Sequence, residues 1–278
     1  MTTYAGNEVF DRVSETGWRR GLGNLVSGEL SSWFKTRRWL KHSIIWLLAI
    51  NLILLLSALA INEDAAQGED VSAVEIFMQY SIFGGIFVMF GVLVTLQTAV
   101  VGEKKSGTAA WVLSKPVSRS AFVMSKLIGY SIGILLTAVL IPGIVAYVEI
   151  GALTPLGFVP PWQFFAGVAA LGLHAIFWLT FTLMMGTFFD SVVPVIGIPI
   201  ALTFSQQYIL SLLPSLANIA PWGLIIPMGG GEGGELPSIA ASLMNGDTPF
   251  SYTPIVAAVI FSVIFTAVAL FRFNRQEF

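Results

Sequence analysis

An all-α membrane protein is the fold class the sequence predicts, and three observations predict it. The 278 residues are 55% hydrophobic and 11% charged, with a mean hydropathy of +0.81, too little polar contrast for a water-soluble domain. Six apolar runs can be cut, near 43–61, 76–101, 127–148, 164–189, 192–213 and 254–271. Crossing a hydrocarbon layer of ~30 Å takes roughly 20 apolar residues as helix, the form in which such a run satisfies its own backbone. Finally, all fourteen Lys and Arg fall on one side of this layout: seven before the first run, five between the second and third, and two after the last. The segments 62–75, 149–163 and 214–253 hold none of them, yet carry nine of the sixteen acidic residues. The positive-inside rule then puts both termini and the loop 102–126 in the cytoplasm of a multi-pass protein of the cell (inner) membrane.

Taken in chain order, residues 1–21 are polar and mixed in sign, and are expected to form a cytoplasmic extension. Over 22–42, Leu22, Leu25, Val26, Leu30, Trp33 and Phe34 recur at helical spacing, with Glu29, Lys35, Arg38 and Lys41 on the other side. This predicts an amphipathic elbow helix lying in the headgroup layer, its Trp33 and Trp39 at the interface and its cations near anionic lipid. The six-span domain follows over 43–278. Its first run starts too late and is too long for a cleaved signal, so it is expected to remain as an anchor.

Within 102–126, a short helix over 106–113 capped by Ser106 must end before Pro116, and Ser118 can cap a second helix that runs into the third span. Gly102, Gly107 and Thr108 imitate the glycine spacing of a phosphate loop. The essential Lys is missing and a membrane helix precedes them, so no nucleotide site is expected on this chain. The absence of Cys removes thiol catalysis and thiolate metal sites, and no Ser/His, paired-carboxylate or HExxH constellation is present. Hence no catalytic residue, no metal site and no nucleic-acid partner are expected.

No Asp, Glu, Lys or Arg lies within the six runs, which argues against an ion-coupled carrier. The polar exceptions are Asn51, Gln97, His174, Gln206 and Gln207; His174 reads as a hydrogen-bonding partner between helices, with His42 too distant to share a metal. Tyr80, Phe83 and Phe87 share one helical face and, with Gln206, Gln207 and Tyr208, are candidates to line a substrate path; the alternatives are a lipid-facing or core face for the first three and packing against a neighbouring helix for the others. Ser125, Gly129 and Gly133 form a small-residue stripe suited to close helix packing. In the outer segment 214–253, the apolar part 218–228 is broken by Pro221 and Pro227 and is expected to dip back where protein shields its backbone; the glycines of 229–234 read as a flexible connector.

The run from Glu103 through Gly107-Thr108, Leu113-Ser114, Pro116, Ser118-Arg119 and Lys126 resembles the signature of ABC transporter permease subunits of the type-2 exporter class, which includes the permease of the nitrous-oxide-reductase maturation system. The elbow, the short turn at Asp190-Ser191 and the terminal Phe271-Arg272-x-x-Arg275 fit the same layout. The resemblance implies a coupling loop in which Glu103, Gly107, Thr108, Pro116, Arg119 and Lys126, together with Asp190, meet a separate cytoplasmic ATPase. It further implies two ATPase copies, which would carry the ATP and Mg, and a second permease copy, most simply as a homodimer. The rival expectation is a non-transporting anchor or mechanical transmitter that relays ATPase motion to an extracytoplasmic protein through 214–253.

Overall fold

The computed structural model describes residues 16–69, 72–213, 216, 219–229 and 235–276. Most of the extension expected over 1–21, and the centre of the glycine connector, lie outside the described residues. Helices dominate: α1 (Leu22–Phe34), α2 (Arg38–Ala66), α3 (Ala73–Leu96), α4 (Val101–Lys105), α5 (Thr108–Leu113), α6 (Arg119–Ile134), α7 (Ile141–Leu153), α8 (Pro161–Phe188), α9 (Val192–Leu212), α10 (Ile239–Asn245) and α11 (Thr253–Asn274). A two-residue antiparallel ladder pairs β1 (Met228–Gly229) with β2 (Glu235–Leu236) across the connector.

Five helices are long and apolar enough to cross a membrane: Arg38–Ala66, Ala73–Lys105, Arg119–Leu153, Pro161–Phe188 and Thr253–Asn274. A shorter apolar helix, Val192–Gln206 within α9, falls below that length. Four of the five overrun at both ends the apolar runs that announced them, and Pro161–Phe188 does so at its start, because a backbone that leaves the helix before reaching water abandons its hydrogen bonds. In the third, α6 and α7 are joined by a π-helical stretch, Leu135–Leu140. Pro142 follows it, lacking an N–H and crowding the carbonyl four residues back, and the wider turn makes room for the ring.

The core forms around α8, against which α3, α10 and α11 pack most extensively. Rings fill one level of it: Tyr80 of α3 stacks on Phe164 of α8 at 5.9 Å, with Phe77, Tyr147, Phe158 and Phe165 around the pair. Between α8 and α11, Phe177, Phe181, Phe261 and Phe265 make a second cluster, and Phe122 of α6 stacks on Phe273 at 5.1 Å. Ordered rings at these spacings stabilise packing where no hydrophobic driving force separates helix from lipid.

The elbow differs from its expectation. It ends at Phe34, and the chain reverses through Lys35–Arg37, where Arg37 takes φ 51°, before α2 begins at Arg38. Instead of lying at the interface, Trp33 is fully buried between α1 and α6. A Cβ added to Gly133 would fall 2.4 Å from the Trp33 ring, and one added to Gly129 would fall 2.5 Å from Cβ of Glu29. The stripe on α6 is thus a notch for the elbow, and an indole that buries on the order of 150–250 Å² there outweighs its preference for the headgroups. Arg38 likewise turns inward, its guanidinium 4.4 Å over the Trp33 ring and 5.3 Å over Tyr130.

At the opposite end, residues 219–229 pack onto the bundle. The turn Pro221–Leu224 packs on α8, α10 and α11, and Ile225 fills the space left by Gly85 of α3. Ser81 on α3 donates to the Ile225 carbonyl at 3.0 Å, and its hydroxyl lies 2.7 Å from that of Ser238.

Candidate coupling site at the basic end

The loop 102–126 stands at the end of the bundle that carries the cations. After α3 the helix is interrupted over 97–100 and resumes as α4, so that Lys104 and Glu103 leave in different directions. Lys104 Nζ reaches the turn between α8 and α9, where it donates to the Phe189 carbonyl at 2.9 Å and pairs with Asp190 at 2.8 Å. The Lys104 hydrogen bond, and then its charge, hold the Asp190 carboxyl below the usual carboxylate range.

Glu103 turns inward instead. Its carboxylate accepts from Lys126 Nζ, and the same ammonium donates to Glu29 of the elbow at 2.5 Å. Lys126 is buried, with a side-chain exposure of 6%, so this triad ties α1, α4 and α6 together at one point. Two residues expected to face a partner, Glu103 and Lys126, are therefore paired within the chain. A buried ammonium demands neutralising carboxylates, and Glu29 and Glu103 are within its reach.

Arg119 is similarly engaged: its guanidinium donates to the carbonyl of Asn274 at 3.1 Å and to that of Gln276, tying the start of α6 to the end of α11. Ser118 caps α6 as expected, accepting from the Ala121 N–H at 3.0 Å. Its own hydroxyl donates to the Trp18 carbonyl, and its N–H to that of Arg20 at 3.0 Å, so the segment before the elbow is fastened here too.

The short helix α5 starts two residues later than Ser106 suggested, at Thr108. Gly107 occupies its N-cap at φ 73°, a left-handed conformation that glycine adopts without steric cost. Ser106 and Thr108 share a hydrogen bond of 2.8 Å between hydroxyls, and Pro116 lies exposed in the turn after the helix. Ala109 alone of α5 is fully buried. Trp111 is 65% exposed, with Lys115 Nζ 5.2 Å over its ring, and Lys105, Gly107, Thr108, Ala110 and Ser114 surround it on the open face. Beside it, Ala110, Leu113, Ser114, Val117 and Arg119 line a depression of about 310 Å³.

The residues named for a substrate path do not converge. Tyr80 is buried in the aromatic cluster, and with Phe83 it borders a crevice between α2 and α3 with no room for a water. Phe87 is half-buried, Gln206 is buried on α9, and Tyr208 is exposed at 74%. The Gln207 side chain lies outside the described residues. His174 accepts from the Trp178 indole of its own helix at 3.1 Å and lies against the backbone of Gly85 on α3.

Sequence reasoning missed Glu29, assigned to the exposed side of the elbow. The signal was present: Glu29 and Trp33 are four residues apart, as are Gly129 and Gly133, and matched spacings allow two large side chains to enter two gaps. It also missed that the third long helix continues past its apolar run. Glu149, expected in an outer loop, sits on α7 and accepts from Asn51 Nδ2 of α2 at 3.0 Å, while Asn51 Nδ2 also donates to the Pro142 carbonyl at 3.1 Å. Ionisable groups at positions 126 and 149 thus do enter the long helix Arg119–Leu153, each with a polar partner.

An all-α membrane protein whose basic end presents one short helix on a tightly fastened base is the class that fold and site define. Residues 57–278 match the family described as "Protein of unknown function (DUF2705)", and the chain belongs to that family. No curated protein matches it.

Proposed function

We propose that the chain is the permease subunit of an ATP-driven exporter of the ABC type, with α9 as a sixth span and both termini cytoplasmic in the cell (inner) membrane. It works as a pair of permease copies with two separate ATPase subunits, which bind the ATP and Mg. The observation that carries this reading is the contrast at the basic end. Three charged groups around α5 are spent inside the chain, through Glu103–Lys126, Lys104–Asp190 and Arg119 with the end of α11, whereas α5 offers the exposed Trp111, with Lys115 of the following turn over its ring. A short helix on a base fixed to four other elements transmits a rigid displacement that a loose loop would absorb. An exposed Trp flanked by cations has the composition of a protein-contact hot spot.

Affinity purification of the tagged chain from its native host, followed by ATPase assay, tests the proposal. Wild type should retain an ATPase, and Trp111→Ala combined with Lys115→Ala should lose most of it, with a melting temperature unchanged from wild type. An absence of retained ATPase, or its equal retention by the double variant, overturns the reading.

A further inference from the structure

A lateral groove of about 650 Å³ opens between α6, α8 and α11, a size within the roughly 300–1,000 Å³ of small-molecule sites. Leu173 and Ile176 of α8 contribute to it, with Leu127 of α6 to one side and Val263 and Ala267 of α11 to the other, while Trp18 joins it from the segment before the elbow. Three of its four hydroxyls are turned away from a ligand, and the fourth is that of Ser131 on α6. Thr180, Ser262 and Thr266 donate to carbonyls of their own helices, at 3.0, 2.7 and 2.8 Å. Apart from the Ser131 hydroxyl, what remains is hydrocarbon, running along α11 from Val259 to Leu270. At 1.5 Å per residue that is about 16 Å, close to the ~15 Å depth of one leaflet's acyl region.

The mouth at the basic end is built. Trp18 is held by the Ser118 hydroxyl, 100 residues away, and Ser118 N–H fixes the Arg20 carbonyl two residues further on. Gly21 allows this: at φ 80°, a Cβ there would lie 2.4 Å from Val117 Cγ1. So placed, Trp18 carries the Arg19 guanidinium at 5.9 Å from its ring, a cation and an amphipathic indole of the kind that phospholipid headgroups attract.

We propose that the groove between α6, α8 and α11 binds one phospholipid from the leaflet at the basic end, with an acyl chain in the groove and an anionic headgroup beside Arg19. The site is independent of any ATPase partner, and its test uses the purified full-length chain alone. Native mass spectrometry after titration with phosphatidylglycerol, and separately with phosphatidylcholine of the same acyl composition, should show one lipid surviving activation that strips the others. Phosphatidylglycerol should be preferred about fivefold, as one cation near the headgroup supplies. Ala267→Trp, which fills the groove, should abolish retention, and Arg19→Ala should retain lipid but level the preference. Gly21→Ala leaves the α6, α8 and α11 walls intact while displacing Trp18, and it should weaken retention even if Ala267→Trp fails to fold. Unchanged retention in Gly21→Ala and in folded Ala267→Trp would mean belt lipid adsorption only and overturn the proposal. A retained mass equal to a second chain in place of lipid would overturn it as well.

Discussion

Lys126 shows how one side chain can decide the arrangement of three helices. Its ammonium is buried, and its two carboxylate partners keep 16% and 26% exposure. Lys126→Met removes the cation and leaves Glu29 and Glu103 facing each other. Breaking a buried pair costs about 3–5 kcal/mol, and the partial exposure of both acids moves the expectation to the lower end of that range. The melting temperature of the purified variant should fall accordingly, and adding Glu29→Gln and Glu103→Gln should restore most of it. A Lys126→Met protein that melts like wild type would show that the triad contributes nothing. Glu103→Gln is consequently expected to loosen the fold as well as any coupling, whereas Trp111→Ala should touch coupling alone. At Asp190 the effect is smaller and pH-dependent. Because its folded pKa is depressed, its pairing with Lys104 stabilises above the ordinary carboxylate value near pH ~4 and is lost as pH falls through the lowered one. With the carboxyl 87% exposed, the contribution is expected to stay below ~1 kcal/mol. Asp190→Asn should therefore flatten only the acid limb of the stability profile, measured between about pH 5 and pH 2.

Helices and their order were legible in the sequence; what each helix touches was only partly so. Apolar runs, the Ser118 cap and the Pro116 break are local signals, and the structure keeps them. The elbow's contacts are not local: Lys126 finds Glu29 at a separation of 97 residues, and hydropathy alone gave Trp33 to the interface. Only the equal spacing of Glu29–Trp33 and Gly129–Gly133 encoded the docking. Arg119 lay in a basic loop by every sequence criterion, and nothing in the pattern announced its bonds to the end of α11. The notch makes a sharp prediction at this scale. Gly133→Ala places a methyl 2.4 Å from the Trp33 ring, where neither helix backbone can yield easily, and overpacking of this kind costs about 1–3 kcal/mol. Gly172→Ala, whose added methyl meets Leu135 at an ordinary 3.4 Å, should leave stability nearly unchanged and serves as its control. Thermal unfolding followed by tryptophan emission should separate the two, and equal stabilities would show that the elbow adapts to the loss of the notch.

Across the whole molecule, the two ends of the bundle are both fastened, and the transport cycle proposed above would require release of at least one of them. At the basic end the ties are charged; at the other they are hydroxyl bonds and packing, with Ser81 joining α3 to Ile225 and Ser238 of the returning segment. The second set is the weaker, since hydrogen bonds between neutral hydroxyls contribute less than charge-assisted ones. It is therefore the end expected to open if cargo leaves there. The 2.7 Å between the Ser81 and Ser238 hydroxyls, both buried, suits a disulfide, and a chain without Cys permits one to be added without competing thiols. In Ser81→Cys with Ser238→Cys, mild oxidation should cross-link the segment to α3 and, in the ATPase complex proposed above, arrest turnover, and reductant should restore it. The single substitutions should turn over normally in either condition. An oxidised pair that cycles at the wild-type rate would mean that the segment stays shut while the ATPase works, so no cargo leaves past it. The motion received at α5 would then have to reach a protein bound on the outer face of the closed cap, the anchor-and-transmitter alternative.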